Sequence, residues 1–316
     1  MIEVNSIFKS FRDNQVLHNL SFSVPKGHIT GLVGPNGSGK STTIRILTGF
    51  SDADSGEVTV DGRPMSVNAV ESKRLVGYAP ENAPSYREQT VIEYLQFIAR
   101  LRGVEKKALP IEVERVITAF SLNKVANQAI GTLSKGYRHR VSLAQCILGD
   151  PPVIVLDEPT DGLDPIQKIS TRRMILELAE SKAVLLTTHL LEEVKMLCDR
   201  VVAIRQGRVV YNGKMQDLHE HKSKACAISL TVAGNNESAL QQALTGLDGV
   251  ASLSVSTNIN MTHASFTLSG VINADIDYMN AVSLRLQHYA LRIVELRRDD
   301  SPLEKLFESY SELHES

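Results

Sequence analysis

Hydrophobic positions in the first two thirds of the chain fall into short β-branched runs that alternate with longer stretches of helical spacing. This alternation is typical of an α/β domain with a substantially parallel sheet. The runs that predict its strands are residues 29–33, 57–60, 75–79, 153–156, 183–187, 201–204 and 208–211.

Two parts of this region depart from the alternation. Residues 2–34 contain several strand-like runs in succession, separated by Asp13-Asn14 and by Pro25-Lys26-Gly27, which are turn-forming sequences. An antiparallel patch is therefore expected beside the main sheet. Residues 88–150 are mostly of helical character, which predicts a helical subdomain. The first domain is expected to span residues 1–220.

The hydrophobic pattern changes after a polar stretch at residues 214–224. Alternating and helical spacings then follow in the order strand, helix, strand, strand, helix, strand, which is the ferredoxin-like order. A last helix is predicted from Ser301, since Pro302 and Glu304 complete a helix-start pattern. Residues 221–316 are therefore expected to form an α+β accessory domain with a terminal helix.

Charge and composition narrow the functional classes. The 316 residues carry 34 Lys+Arg against 36 Asp+Glu, so the surplus of basic residues typical of nucleic-acid binding is missing and no nucleic-acid partner is expected. No apolar run approaches the about 18 residues of a membrane helix, and the first residues do not resemble a secretory signal. The three cysteines are too scattered for a disulfide framework. The chain is expected to work in the cytoplasm or against a membrane from that side.

Residues 34–41, Gly-Pro-Asn-Gly-Ser-Gly-Lys-Ser, match the Walker A pattern between a predicted strand and a predicted helix at 42–47. Glycines let successive backbone N–H groups turn inward around phosphate oxygens, and the helix N-terminus adds partial positive charge. Lys40 is expected to meet the β- and γ-phosphates of a nucleotide, and Ser41 is expected to ligate Mg²⁺.

The apolar run at residues 153–156 ends in two carboxylates, Asp157 and Glu158. Ligands of open α/β sheets bind beyond the carboxyl ends of the strands, so this pair is expected to lie at a binding site. Asp157 suits a Mg²⁺ ligand through water, as in a Walker B motif. Glu158 suits the base or the orienter of the attacking water.

These motifs, with Leu133-Ser134-Lys135-Gly136-Tyr137, the run at 156–164 and Thr188-His189, together resemble the ATP-binding subunit of an ABC transporter over residues 1 to about 220. The resemblance implies a P-loop NTPase with a RecA-like core, an N-terminal antiparallel β subdomain and a helical subdomain. It also implies ATP hydrolysis with Mg²⁺ and a head-to-tail dimer, of two copies or of this chain with a paralogue. The permease would be a separate integral-membrane protein, and this chain would lie on the cytoplasmic face of the membrane.

The resemblance also implies roles for single residues. Ser134 and Gly136 would contact ATP held by the opposite protomer, His189 would meet the γ-phosphate, Asp164 would communicate across the dimer, and Phe11 would stack on adenine. The catalytic residues are expected to be Lys40, Glu158 and His189. The residues expected to contact ATP are Phe11, Gly34, Pro35, Asn36, Gly37, Ser38, Gly39, Lys40, Ser41, Thr42, Ser134, Lys135 and Gly136.

Two positions differ from the usual family pattern. Glu81 stands where a glutamine is common, and its oxygens could still bind Mg²⁺, so Ser41, Glu81 and Asp157 are the expected metal ligands. Lys135 stands where a glycine is common, and its ammonium either points toward the phosphates or faces solvent.

Glu81, the Lys-Gly-Tyr sequence and the C-terminal Leu303–Phe307 segment resemble the branch of ABC ATPases that serves type-two exporters for gliding motility, drug, sodium or copper-related export. The expected function is thus the motor of an exporter. Two alternatives are a soluble ABC-type ATPase acting on ribosomes or DNA, and a ligand-sensing regulator that uses the C-terminal domain as its sensor.

Overall fold

The computed structural model describes residues 1–81, 86–220, 225–233, 242–243, 252–256, 263–271, 278–289 and 291–299. The chain forms two compact units, Met1–Gln216 and Asp217–Ser316. The division falls four residues before the predicted domain boundary at 220, within a helix that the polar stretch at 214–224 did not predict. That helix begins at Met215, which is buried and donates its backbone N–H to Asp199 O.

An antiparallel sheet forms the first part of the chain. Its strands are β1 (Ile2–Phe11), β2 (Asn14–Val24), β4 (Ser55–Val60) and β5 (Arg63–Pro64), in the order β2-β1-β4-β5. The first strand-like run of the sequence covers residues 2–5, whereas β1 extends to Phe11. The register of β1 with β2 shifts at irregular positions, which interrupt the hydrophobic alternation beyond residue 5.

A six-stranded sheet carries the predicted motifs. Its strands are β3 (Ile29–Val33), β6 (Val76–Ala79), β7 (Val153–Asp157), β8 (Ala183–Thr187), β9 (Arg200–Arg205) and β10 (Arg208–Lys214), in the order β10-β9-β3-β8-β7-β6. All neighbours except β9 and β10 pair in parallel. Because β3, β8 and β7 are adjacent and parallel, the segments that follow them meet at one edge of the sheet.

The first unit also contains helices. They are α1 (Lys40–Leu47), α2 (Val70–Arg74), α3 (Val91–Leu101), α4 (Leu109–Ala119), α5 (Lys135–Cys146), α6 (Pro165–Ala179) and α7 (Leu191–Leu197), with 3₁₀ turns at Asn123–Val125 and Ile130–Thr132. The helix that contains the division between the units is α8 (Met215–Glu220). α1 begins two residues before the predicted start at 42. No helix in the described part of the chain has both the length and the apolar character needed to cross a membrane.

α3 begins at a capping box. Thr90 N donates to Glu93 Oε2 over 2.8 Å, and Glu93 N donates to Thr90 Oγ1 over 3.3 Å. α3 packs against α4 and α5. Tyr94 of α3 is fully buried, and its hydroxyl donates to Gln145 Oε1 of α5 over 2.8 Å.

One hydrophobic core joins both sheets of the first unit around α1. Ile2 and Leu20 of the antiparallel sheet, Leu47 of α1, and Val155 and Val202 of the six-stranded sheet are all fully buried in it. Because α1 packs inside this core, the loop that precedes it is anchored at both ends. The core therefore determines where the Walker A segment lies.

The second unit contains β11 (Ala225–Ala233), β12 (Ser252–Ser256), β13 (His263–Val271), α9 (Tyr278–His288) and β14 (Arg292–Asp299). The strands pair antiparallel in the order β12-β13-β11-β14. Of the predicted helix between β11 and β12 only residues 242–243 are described, and they are helical. The predicted terminal helix from Ser301 lies outside the described residues.

Candidate active site

The Walker A segment forms a loop between β3 and α1. Pro35, Asn36 and Gly37 are exposed, whereas Ser38 and Gly39 are buried. Gly37 has φ +79° and Gly39 has φ +107°, a conformation that glycine adopts without steric cost. Thr43 donates to Gly39 O from both its backbone N–H and its hydroxyl, each over 2.9 Å. The sequence places glycines where the chain must turn into the helix.

Close packing holds the start of this loop. A Cβ added at Gly34 would overlap Ile204 O and lie 2.6 Å from Ser38 Oγ. Gly207 N donates to Ser38 O over 3.0 Å, which ties the loop to the turn after β9. Ser38 Oγ is buried and has no hydrogen-bond partner among the described residues. Only glycine fits at position 34, because the neighbouring atom is a backbone oxygen that cannot rotate away.

The Lys40 ammonium lies within the loop. Its Nζ donates to Gly34 O over 2.7 Å and to Pro35 O over 3.1 Å. Burial lowers the pKa of Lys40, while the negative charges of Glu158 and Asp157 act in the opposite direction. The predicted phosphate-binding lysine therefore shares one electrostatic environment with both predicted carboxylates.

Asp157 is the last residue of β7 and is held from both neighbouring strands. Its Oδ1 accepts a hydrogen bond from Thr187 Oγ1 of β8 over 2.5 Å. On the other side, burial and then the Asp157 charge raise the pKa of Tyr78 of β6 to about 12. Tyr78 therefore stays a neutral phenol beside the carboxylate at physiological pH. These contacts orient the Asp157 carboxylate.

Glu158 has an unusual backbone. Its φ of +49° lies in the left-handed region, which is uncommon for a residue other than glycine. Its N–H donates to Thr187 O and Thr187 Oγ1, both over 3.2 Å. Its side chain is 15% exposed, and Oε2 lies 3.0 Å from His189 Nδ1. Strained backbone of this kind is found where surrounding structure holds a side chain in one direction.

The segment around Ser134 forms the start of α5. Ser134 is exposed and caps the helix, its Oγ accepting from Tyr137 N over 3.4 Å. Gly136 is buried, and a Cβ there would lie 2.6 Å from Gln167 Oε1 of α6. The Lys135 ammonium lies against Gly162 of the same chain. Lys135 is exposed, as in the solvent-facing alternative, and its ammonium lies against the loop before α6.

The residues expected to bind Mg²⁺ lie on different elements. Ser41 is exposed in the first turn of α1, Asp157 ends β7, and Glu81 is exposed two residues after β6. Hydroxyl and carboxylate oxygens suit this hard cation, so the donor types fit. The described residues contain no group of three or more His, Cys, Asp or Glu side chains that could hold a metal. A site here would therefore need oxygen atoms of the nucleotide in addition to those of Ser41, Asp157 and Glu81.

Lys40, Asp157, Glu158 and His189 come together beyond the carboxyl ends of the parallel strands. Phe11 ends β1, where it is 47% exposed with Lys9 Nζ 5.6 Å from its ring centroid. Sequence reasoning did not single out Tyr78 or Thr187. Thr187 had a local signal, since it is a polar residue ending an apolar strand just before Thr188-His189.

Comparison with known proteins decides the family. A family model described as "ABC transporter" matches residues 17–161. The Nod factor export ATP-binding protein I of Burkholderia lata is 36% identical over 220 residues, which are 69% of this chain and 72% of that protein. The chain belongs to the ATP-binding proteins of ABC transporters.

Other comparisons extend this assignment. This ABC ATP-binding protein is 30% identical over 293 residues to the linearmycin resistance ATP-binding protein LnrL of Bacillus subtilis, which is 91% of this chain and 94% of that protein. A solved structure of the ATP-binding subunit of an ABC transporter covers 70% of the chain at 28% identity with a TM-score of 0.64. Members of this family hydrolyse ATP, so the protein is an ATPase.

Proposed function

We propose that this ABC ATP-binding protein is the motor subunit of an exporter. Two cassettes would bind Mg-ATP at a head-to-tail interface and drive conformational change in a separately encoded membrane permease. The chain would act peripherally, at the cytoplasmic face of the membrane. The observation that carries the proposal is the convergence of Lys40, Asp157, Glu158 and His189 beyond the ends of three adjacent parallel strands.

Each of these residues has a chemical role. Lys40 and the backbone N–H groups of the loop would bind the β- and γ-phosphates, and Ser41 and Asp157 would hold Mg²⁺, with Glu81 as a further oxygen donor. Mg²⁺ supplies charge neutralisation for the phosphates. Glu158 accepts a proton from the attacking water, and its held backbone directs the carboxylate. His189 donates a hydrogen bond to the γ-phosphate and pairs with Glu158.

The dimer is inferred from the segment around Ser134. Within the chain, Gly136 packs against Gln167 and Lys135 against Gly162, while Ser134 is exposed at a helix N-terminus. A helix N-terminus with an exposed hydroxyl binds a phosphate well. This face is therefore available to ATP held by a second cassette, and Phe11 would contact the adenine of the nucleotide in its own chain.

Export is supported by the names of two relatives. One is a Nod factor export protein and the other a linearmycin resistance protein, and the second match spans 91% of this chain. We assign the protein to the exporter branch that its Glu81 and Lys135 sequences resemble. The antiparallel order β12-β13-β11-β14 supports a ferredoxin-like accessory domain, which would serve dimerisation or permease docking.

The test is to purify tagged Glu158→Gln protein from detergent-solubilised membranes with Mg-ATP and to identify stoichiometric partners by mass spectrometry. A polytopic membrane protein is expected. The matched control is the Lys40→Ala, Glu158→Gln double variant, which should lose any partner that requires bound ATP. Ribosomal or DNA-associated proteins without a membrane protein would contradict the transporter assignment and favour the soluble ATPase.

A further inference from the structure

An ion pair between a half-buried arginine and a buried glutamate joins α6 to α7. Arg172 Nε donates to Glu193 Oε2 over 2.9 Å, and Arg172 Nη2 donates to Glu193 Oε1 over 2.6 Å. The Glu193 side chain is only 3% exposed and that of Arg172 is 22% exposed. This fork-to-fork geometry restrains both position and orientation, which a single contact does not do. The glutamate hydrogen bond is the main cause that raises the pKa of Arg172.

The pair lies between the two segments that approach Glu158. α6 starts directly after Asp164, in the loop that follows Glu158, and Asp164 caps it by accepting from Gln167 N over 2.9 Å. α7 starts two residues after His189. The ion pair therefore completes a closed path of connections. The chain leads from Glu158 into α6, the ion pair joins α6 to α7, and the chain leads back from α7 to His189. His189 Nδ1 then lies 3.0 Å from Glu158 Oε2.

α7 needs such an anchor. It has seven residues, and its N-cap residue, Leu190, makes no side-chain capping hydrogen bond. A helix this short is not stable by itself, so tertiary contacts determine its position. Val194 and Leu197 bury its apolar side, but apolar packing tolerates small rotations that a bidentate ion pair does not. Leu190 N donates a hydrogen bond to Thr188 Oγ1 over 3.0 Å, so the position of α7 also restrains the segment that contains His189.

We propose that Arg172 and Glu193 are positioning residues for ATP hydrolysis. Their ion pair holds α7 so that the His189 imidazole meets both Glu158 and the γ-phosphate. The inference rests on the roles proposed above for Glu158 and His189. Neither Arg172 nor Glu193 contacts the nucleotide in this account, so losing the pair should lower turnover and leave ATP binding intact.

The experiment measures steady-state ATP hydrolysis by the full-length protein carrying Glu193→Gln, and the affinity for a fluorescent ATP analogue. A displaced catalytic group costs on the order of 10- to 100-fold in rate. We expect kcat to fall about 10-fold, with KM and analogue affinity within about twofold of wild type. Arg172→Lys is a second test variant, to be used if Glu193→Gln folds poorly. It keeps a positive charge beside Glu193 but cannot make the two parallel hydrogen bonds of the guanidinium. It should lower kcat by a smaller factor.

Neighbouring residues provide matched controls. Glu192 is exposed beside Glu193, and Arg173 is 83% exposed beside Arg172, paired with Glu177. Glu192→Gln and Arg173→Gln should keep wild-type kcat. A fall in kcat as large as that of the buried variants would mean that charge on these helices, rather than the ion pair, affects turnover, and would overturn the proposal.

A double-mutant cycle separates positioning from general destabilisation. If the pair acts through His189, Glu193→Gln should have no further effect on the residual kcat of His189→Ala. An unchanged kcat for Glu193→Gln, or the same fold-loss in both backgrounds, would overturn the positioning role alone. Wild-type turnover by His189→Ala would instead contradict the proposed role of His189, and this inference with it.

Discussion

His189 Nδ1 lies 3.0 Å from Glu158 Oε2, although the two residues follow different strands of the sheet. The left-handed backbone of Glu158 and its bonds to Thr187 bring its carboxylate toward β8, the strand that leads to His189. Two groups expected to act on the same phosphate are therefore already in contact. Their proximity makes turnover sensitive to changes that leave nucleotide binding intact.

Replacing Glu158 by glutamine keeps the shape of the side chain and removes its ability to accept a proton. We expect ATP hydrolysis to fall by about 10²- to 10⁴-fold, which is the usual contribution of a general base, with ATP affinity retained. Phosphate-release assays and equilibrium binding of a fluorescent ATP analogue measure the two quantities. Wild-type hydrolysis by this variant would show that Glu158 is not the base.

Replacing Lys40 by alanine removes the cation that the loop carbonyls of Gly34 and Pro35 hold. Nucleotide affinity should be largely lost, because the variant lacks the positive charge that meets the phosphates. Isothermal titration with ATP measures it. Lys195→Ala, at an exposed position of α7, is the matched control and should bind normally. Tight ATP binding by Lys40→Ala would contradict the phosphate-binding role of the loop.

Two glycines of the same loop should respond differently to alanine. At Gly34 a Cβ would overlap a backbone oxygen, so the loop must move, and we expect a loss of about 2 kcal/mol or more of stability together with ATP binding. At Gly37 a Cβ meets nothing within 4 Å, and only the positive φ opposes the change, at about 1 kcal/mol. Thermal unfolding and ATP titration of both variants test the contrast. Equal effects would show that loop packing does not decide the difference.

His139 of α5 should make stability depend on pH. Burial is the main cause that lowers its pKa from 6.5, the Lys135 charge adds to this effect, and a hydrogen bond with the Pro159 backbone opposes it. The unfolded chain therefore binds a proton more readily than the folded one. The contribution of neutral His139 to the free energy of unfolding is fully present above about pH 6.5. It is lost as the pH falls from there through the lowered pKa of His139 in the folded protein.

Urea unfolding at pH 8.0 and pH 5.5 tests this effect. His139→Gln should lose less stability than wild type between the two pH values, because glutamine does not titrate. His288→Gln, at an exposed position of α9, is the matched control and should retain the wild-type dependence. Identical pH dependence in wild type and His139→Gln would contradict the prediction.

The buried contact between α3 and α5 should be costly to break. Tyr94→Phe removes the hydroxyl that donates to Gln145 Oε1 and leaves that buried oxygen without its donor. We expect a loss of about 2 kcal/mol in the free energy of unfolding. Tyr86→Phe, at an exposed position whose ring is tilted against that of Tyr94, should cost far less. Similar losses in denaturant unfolding of the two variants would show that burial of the hydrogen bond is unimportant.

The sequence by itself determined the local features. Hydrophobic period and turn chemistry located the strands around Gly34 and Asp157, because both signals lie within a few residues of the element they specify. The role of the Walker A glycines could be predicted for the same reason, because the residues of the loop themselves determine its conformation. Helix α8 could not be predicted, because its first residue is held by Asp199, a partner outside the segment.

Only the tertiary structure decided which distant residues meet. The adjacency of β7 and β8 pairs Asp157 with Thr187 and Glu158 with His189, and the packing of α6 on α7 pairs Arg172 with Glu193. Lys135 lies against Gly162 for the same reason. Local sequence contains no signal for these pairs, because each pair depends on which elements become neighbours when the hydrophobic core forms. The free energy of core burial is in turn a property of the whole domain and not of a short segment.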